Sequence, residues 1–544
     1  MAKLSFRNLD ELSAFGRLQK GAPTNTAAFL RKTLSPERVK AAELRYDLGK
    51  DGSGPSWLAY NWAAKIADDS ILTGLGQLAE EADLIEKYKL VLDGEIMNPG
   101  EKRMVLHHLT RGQLGKKVSN NGNDLGEFYA KQFERIATFA NAVHAGHIKA
   151  TNGKPFETVV QVGIGGSDLG PRAMYIALKN YVSSTVTKDL RGRGLKLKAE
   201  FISNVDPDDA AEVLRRINPA TTLFILVSKS GTTQETLTNE TFVLDYLQES
   251  NVGSPRKQMI CVTSETSPLA KSKDYLDSFF IDDFIGGRYS STSAVGGAVL
   301  SLAFGPDVFA EFLDGAHHAD KTALKPDLQK NPALLDALLG VYERNVLGFT
   351  ATAVLPYSQA LSRFPAHLQQ LDMESNGKQV NRDGAPIAYH TGPTIFGEPG
   401  TNGQHSFYQE LHQGTDIVPL QFVGFLESQL GQDLQFEGSS SQKKLNANLS
   451  AQIVAFALGK DDANPNKRFP GGRPSSLLYS STLSPRVLGA LLAHFENKVM
   501  FQGFLWNVNS FDQEGVQLGK VLTGKVLGGK TDGALEVYAK LLGV

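Results

Sequence analysis

Two short loops in this 544-residue sequence combine residue types that suit a bound phosphate. The segment Val227-Ser-Lys-Ser-Gly-Thr-Thr-Gln-Glu235 lies between an apolar run and a helical pattern. It offers the hydroxyls of Ser228, Ser230, Thr232 and Thr233, the amine of Lys229 and a flexible Gly231. The first turn of a helix presents unpaired N–H groups and partial positive charge. Hydroxyls beside such a turn complete a seat for a phosphate monoester. Simple capping competes, because Thr232-x-x-Glu235 fits a capping box. A cap needs one hydroxyl rather than four, so phosphate is the preferred reading.

The second loop is Val162-Gly-Ile-Gly-Gly-Ser-Asp-Leu-Gly-Pro171, which follows a β-branched run and opens a helix, with Pro171 suited to the first turn. It fails as a dinucleotide fingerprint, since Asp168 stands where the third glycine belongs. It fails as a P-loop, since Pro171-Arg172 stand where Lys-Ser/Thr is required. What remains is a glycine turn at the carboxyl end of a strand, where open α/β sheets bind ligands. A tight turn without a ligand would use the same residues.

The elements that must position these loops are short β-branched runs alternating with helical stretches. Strands are expected at 158–162, 201–203, 222–227 and 259–262, with helices at 171–180, 207–216 and 234–247. That alternation predicts βαβ units, right-handed crossovers and a parallel sheet covered by helices on both faces. A polar segment at 326–333, with Pro326 and Pro332, marks a junction. A second α/β set follows, with strands at 350–355 and 417–423 and helices at 359–371, 447–458 and 485–499. Residues 1–115 read as mostly helical, from the spacing at 75–90 and 102–109, and 459–476 reads as an exposed loop.

Composition narrows the partners. Basic and acidic side chains number 56 and 58, for a net charge of -2, which gives nucleic acid or acidic lipid nothing global to bind. No stretch approaches a membrane span, and the start lacks an apolar signal core. The single cysteine, Cys261, permits no internal disulfide and reads as an inert core thiol in a reducing, cytoplasmic setting. His107-His108 and His317-His318 are adjacent pairs, which point apart on a helix and do not chelate. No metal or other cofactor is expected. The basic stretch at 188–198 reads as a solvated loop.

A Gly-Gly-Ser turn followed by a Ser-Lys-Ser-Gly-Thr-Thr loop resembles a sugar isomerase (SIS) domain. Later segments sharpen the likeness: Gly286-Gly-Arg-Tyr-Ser-Ser-Thr-Ser-Ala-Val-Gly296, Asp372-Met-Glu-Ser-Asn-Gly-Lys378, Gly397-Glu-Pro-Gly-Thr-Asn-Gly-Gln-His405 and Phe511-Asp-Gln-Glu-Gly-Val-Gln-Leu-Gly-Lys520. Six separated motifs in one order, from about 100 to 540, resemble the glucose-6-phosphate isomerase family. The resemblance implies an α/β fold of two SIS-type doubly wound parallel-sheet domains with helical N-terminal and C-terminal extensions. The expected division is 1–115 packing on the second domain, 116–325 with the phosphate loop, 326–510 with a catalytic glutamate, and 511–544 with a catalytic lysine and terminal helix. The implied activity interconverts glucose 6-phosphate and fructose 6-phosphate in glycolysis and gluconeogenesis.

Aldose–ketose conversion needs a base at the C1–C2 edge, a stabiliser for the enediolate and an acid to open the ring. Glu374 is the base implied by its motif; it follows an apolar-faced helix (Leu361, Phe364, Leu368, Leu371) that Pro365 kinks and Asn376-Gly377 stops. Arg288, after two glycines, is the anion stabiliser. His405 and Lys520 are the ring-opening candidates that the resemblance implies. Gln370 and Gln513 match positions that bind sugar hydroxyls, and Gly166 and Ser167 should line the same cleft. The resemblance also implies a homodimer in which His405 serves the neighbouring subunit. Glu410, in Gln409-Glu-Leu-His412, departs from the uncharged family pattern near that contact. A non-catalytic sugar-phosphate sensor would share both loops but would not need Arg288, Glu374, His405 and Lys520. Acceptance of mannose 6-phosphate stays open, because both epimers share one enediol.

Overall fold

The computed structural model describes residues 4–51, 54–184 and 193–544. Eleven strands build two sheets among the described residues, apart from two-residue ladders. They are β1 Glu43–Asp51, β2 Gly54–Asn61, β3 Thr158–Val162, β4 Lys198–Ile202, β5 Thr222–Val227, β6 Met259–Thr263, β7 Asp277–Phe280, β8 Ala351–Pro356, β9 Thr394–Phe396, β10 Leu420–Phe425 and β11 Ser475–Ser480.

The first sheet has the order β4-β3-β5-β6-β7 and is wholly parallel. Its inner strands β5 and β6 are apolar on both faces, as a sheet covered by helices on both sides demands; all six residues of β5 and all five of β6 are buried. The order reverses at β3, so the crevice opens between the carboxyl ends of β3 and β5. The glycine loop and the hydroxyl loop leave from those two ends.

The second sheet has the order β1-β2-β11-β10-β8-β9. Its parallel strands β11, β10, β8 and β9 repeat the strand order of the first sheet, with the switch point between β8 and β10. Helix Pro485–Leu505 is buried along nearly its whole length and packs on helices Pro306–Ala323 and Pro332–Asn345. Beside it Asp336 accepts from the Tyr60 hydroxyl at 2.9 Å and Gln421 at 2.5 Å, and lies 3.0 Å from Lys498 Nζ. Lys498 and His494 outweigh the effect of burial and hold this carboxyl well below the usual range.

Three expectations are corrected. Residues 1–115 are not mostly helical throughout, because β1 and β2 form an antiparallel hairpin that joins the second sheet through β11. Leu44, Tyr46 and Leu48 are buried and alternate with Arg45 and Asp47, a period of two that marks a strand. Residues 102–109 hold no α-helix: Lys102 lies in a turn at φ 54°, and only a short 3-10 turn, His107–Thr110, follows. Residues 459–476 are not wholly an exposed loop: 471–476 are buried and run into β11, where Arg473 donates to the carbonyls of Asp416 and Gly414 at 2.9 and 2.6 Å. Within the basic stretch, Lys188 and Arg191 lie outside the described residues, whereas Arg193 pairs with Asp307 at 3.0 Å and Lys198 with Glu200 at 2.8 Å. Cys261 is buried in β6, and burial pushes its thiol pKa up. No helix among the described residues is long and apolar enough to cross a membrane.

Candidate active site

Glu374 stands at the end of a broken helix. The expected continuous helix at 359–371 is a 3-10 turn Gln359–Leu361, an α-helix Phe364–Gln369 restarted around Pro365, and a π-helical turn Gln370–Glu374. Single π-turns recur at functional sites because they re-aim a side chain without ending the helix. The Glu374 side chain keeps 24% of its surface, and its Oε2 lies 3.2 Å from Arg288 Nη1. Its other oxygen has no hydrogen bond among the described residues.

Arg288 is buried, and four of the five N–H groups of its fork are engaged, which leaves one N–H of Nη1 without a partner among the described residues. Nε donates to Ser375 Oγ at 2.7 Å, and Nη2 donates to the carbonyls of Ser510 and Asp512 at 2.5 and 3.0 Å. A planar guanidinium held at three corners cannot rotate away from Glu374. Two glycines allow it this depth. A Cβ on Gly166 would stand 2.2 Å from the Gly287 carbonyl, so the glycine loop and the Arg288 turn meet backbone to backbone.

Gln370 leans over the same turn. A Cβ on Gly165, whose φ is 60°, would lie 3.3 Å from Gln370 Nε2. The Gln370 side-chain oxygen, Oε1, is buried without a partner among the described residues. Ser167 is half-buried; its amide donates to Ile164 O at 3.1 Å, and its carbonyl accepts from Gln161 Nε2 at 2.6 Å.

The hydroxyl loop is folded on itself. Ser228 Oγ lies 3.0 Å from Thr233 Oγ1, and Thr232 Oγ1 donates to Ser230 Oγ at 3.0 Å. Gly231, at φ 68°, donates to Ser228 Oγ at 3.1 Å. The capping box does not form. Helix Gln234–Glu249 starts after Thr233, and no side chain caps it. Its first N–H groups therefore face the loop without side-chain partners. Lys229 turns its amine away, to the Ile285 carbonyl at 3.3 Å, and burial lowers its pKa. That contact ties the hydroxyl loop to the residue preceding Gly286-Gly287-Arg288.

The structure thus unites Gly166, Gln370, Arg288 and Glu374, with the hydroxyl loop attached through Lys229. Gln513 follows directly on Asp512, the carbonyl that Arg288 holds. His405, in the short turn Gly403–His405, and Lys520, on helix Gln517–Leu527, are both exposed. Neither has a hydrogen bond or ion pair to the other site residues among the described residues.

Several supporting residues escaped the sequence reading. Ser375 and Lys378 lay inside a quoted motif, but only the fold assigns them to Arg288 and Asp512. The Tyr289 hydroxyl lies 3.2 Å from Ser375 Oγ, and its ring stacks on His107 with centroids 4.7 Å apart. Burial drives the His107 pKa well down and pushes the Tyr289 phenol up to about 12, so both are neutral props behind Arg288. Asp372, in the π-turn, is raised by burial to about 6 against the pull of Lys498.

A family model described as phosphoglucose isomerase matches residues 61–537. The glucose-6-phosphate isomerase of Treponema denticola is 58% identical over 99% of this chain and 100% of its own. That of Borreliella burgdorferi is 48% identical over 99% of both chains. A crystal structure of a glucose-6-phosphate isomerase from Chlamydia trachomatis superposes with a TM-score of 0.88 at 42% identity, covering 98% of this chain and 99% of that one. With its two switch-point loops and a buried Arg288 paired to Glu374, the chain belongs to the phosphoglucose isomerase family.

Proposed function

We propose that the protein interconverts glucose 6-phosphate and fructose 6-phosphate through a cis-enediol. The observation that carries this reading is the Arg288–Glu374 pair: a carboxylate with one free oxygen, 3.2 Å from a buried guanidinium, at the crevice of a switch-point sheet. The phosphate sits on Ser228, Ser230, Thr232 and Thr233 and on the uncapped start of helix Gln234–Glu249, with Lys229 acting through its backbone and its tie to Ile285. Remote phosphate binding places C1–C2 against Glu374.

His405 and Lys520 open the ring by exchanging a proton between the ring oxygen and O1. Glu374 then takes the proton from C2 of the aldose while electron density moves toward O1. Arg288 stabilises the enediolate oxygen. The proton on Glu374 exchanges with solvent while the enediol stands; Glu374 then delivers a proton to C1, and a proton moves from O2 to O1, which leaves the ketose. Gln370, Gln513, Gly166 and Ser167 orient the sugar hydroxyls; the unpartnered Gln370 oxygen supports that role.

A homodimer is part of the same proposal. Helices Gln517–Leu527 and Gly533–Leu541 bury only Ala539, and Leu518, Val521, Leu541 and Leu542 are exposed. An exposed apolar arm of this kind suits a partner copy. The His405 amide donates to the Asn402 carbonyl, but its imidazole has no hydrogen-bonding partner among the described residues, which supports its service to the neighbouring subunit. A cytoplasmic setting, and units at 116–325 and 326–510, complete the reading. The test is Glu374→Gln in a coupled assay with fructose 6-phosphate. Loss of turnover by three orders of magnitude or more with near-normal KM is expected; wild-type turnover would remove Glu374 from its role.

A further inference from the structure

The ring-opening residues raise a question of support. Helix Gln517–Leu527, which carries Lys520, buries none of its residues against its own chain. Within one chain, its placement therefore depends on how the preceding segment, 509–513, is held. That segment is held by the buried Phe511 ring, 5.8 Å from that of Tyr289, and by polar contacts. Ser510 Oγ donates to Asn376 Oδ1 at 2.7 Å, and Asn98 Nδ2 donates to the Phe511 carbonyl at 3.3 Å. Asp512 Oδ2 accepts from Asn509 Nδ2 at 2.6 Å. Lys378 makes the one ion pair to this segment among the described residues: its Nζ lies 2.5 Å from Asp512 Oδ1 and 3.1 Å from the Asp512 carbonyl. That carbonyl is also the one Arg288 Nη2 holds at 3.0 Å.

Lys378 is itself anchored. Its carbonyl accepts from Thr391 Oγ1 at 2.9 Å, and its side chain keeps 16% of its surface beside the 15% of Asp512. A pair withdrawn from water to this degree, with a second acceptor on the same amine, is directional in a way that an exposed pair is not. The lysine stands four residues after Glu374, and the aspartate stands one residue before Gln513. The ion pair thus bridges the stretch just after the base and the segment that leads into the helix of the ring-opening lysine.

We propose that Lys378 is a positioning residue for ring opening, which it serves by clamping Asp512 so that Gln513 and Lys520 are presented to the sugar beside Glu374. This rests on the isomerase reading above. The clamp acts on the step in which the ring oxygen gains a proton and O1 loses one; it leaves the C2-to-C1 proton transfer by Glu374 intact.

Ring opening can be read separately from isomerisation. Opening and closing exchange the α and β anomers of glucose 6-phosphate without breaking a C–H bond, and exchange NMR measures that rate above the uncatalysed background. Full-length Lys378→Met is expected to lose anomer exchange about tenfold, with KM for fructose 6-phosphate within threefold of wild type. Lys378→Arg, which keeps the charge, should recover most of the exchange. Glu374→Gln should show the opposite pattern, with anomer exchange kept and solvent deuterium incorporation lost. Asp512→Asn, which keeps the main-chain carbonyl, should repeat the selective loss and stands in if Lys378→Met fails to fold. Anomer exchange within threefold of wild type in a folded Lys378→Met or Asp512→Asn would overturn the proposal, even if isomerisation falls. A wild-type protein that neither exchanges anomers nor isomerises would instead overturn the isomerase reading itself.

Discussion

Arg288→Lys keeps a positive charge in the site but replaces a three-cornered fork by one nitrogen. The guanidinium spans Ser375 Oγ, Glu374 and the carbonyls of Ser510 and Asp512, with bonds of 2.5–3.2 Å. A single ammonium cannot reach all of these acceptors and also face the reacting oxygens. Retreat of the charge from about 4 to about 6 Å lowers its attraction for a developing oxyanion by about 1.4 kcal/mol at an effective dielectric of about 20. Loss of one oriented hydrogen bond adds about 1–1.5 kcal/mol. The sum, about 2.5–3 kcal/mol, corresponds to a fall in kcat of about 70–150-fold. It should appear in kcat rather than KM, since the Arg288 guanidinium bonds none of the hydroxyl-loop side chains that hold the phosphate. The assay couples conversion of fructose 6-phosphate to excess glucose-6-phosphate dehydrogenase, with near-ultraviolet circular dichroism to confirm the fold. A fall of less than fivefold in kcat, or an effect confined to KM, would refute the assignment of Arg288 as the anion stabiliser.

Three further outcomes follow from other contacts. Gly166→Ala places a Cβ 2.2 Å from the Gly287 backbone, so the chain must shift; kcat should fall at least tenfold, with about 1–3 kcal/mol lost in urea unfolding. Thr233→Val removes a hydroxyl beside the uncapped helix start, and kcat/KM for fructose 6-phosphate should fall about tenfold, close to 1–1.5 kcal/mol for one hydrogen bond. Asp372→Asn should change how stability depends on pH. Burial raises the folded carboxyl from 3.8 to about 6, so its neutral form favours the fold below pH 3.8, and that advantage is lost as pH rises through 6. Wild-type stability relative to Asp372→Asn should therefore fall by about 3 kcal/mol between pH 3.5 and pH 7 in urea titrations. Parallel curves for the two proteins would contradict this.

How much of this was legible in the sequence depended on which groups carry the interaction. β5 was readable because its six buried residues form one apolar, β-branched run ended by a polar loop. The hairpin β1–β2 was also written in the sequence, in the alternation of Leu44, Tyr46 and Leu48, but nearby helical spacing masked it. β11 was hidden for a different reason: it begins with Ser475-Ser476 after Gly471-Gly-Arg-Pro474, residues that usually form loops, and only pairing with β10 makes these two serines part of a strand that β2 flanks at 477–479. In the site, side-chain roles followed from motifs, whereas the grip on Arg288 did not. Two of its acceptors are main-chain carbonyls, 222 and 224 positions away, and a carbonyl leaves no residue signature. The π-turn that aims Glu374 was likewise invisible, because Pro365 announces a break but not the wider turn after it.

Proton transfer through Glu374 is the central claim, and isotopic labelling tests it most directly. Fructose 6-phosphate is incubated with the wild-type protein in deuterated water, and the glucose 6-phosphate formed is examined at C2 by NMR. Deuterium at C2 with the wild type, and no product above background with Glu374→Gln, is the predicted result. Unlabelled glucose 6-phosphate from the wild type, or labelled product formed by Glu374→Gln at the wild-type rate, would contradict it.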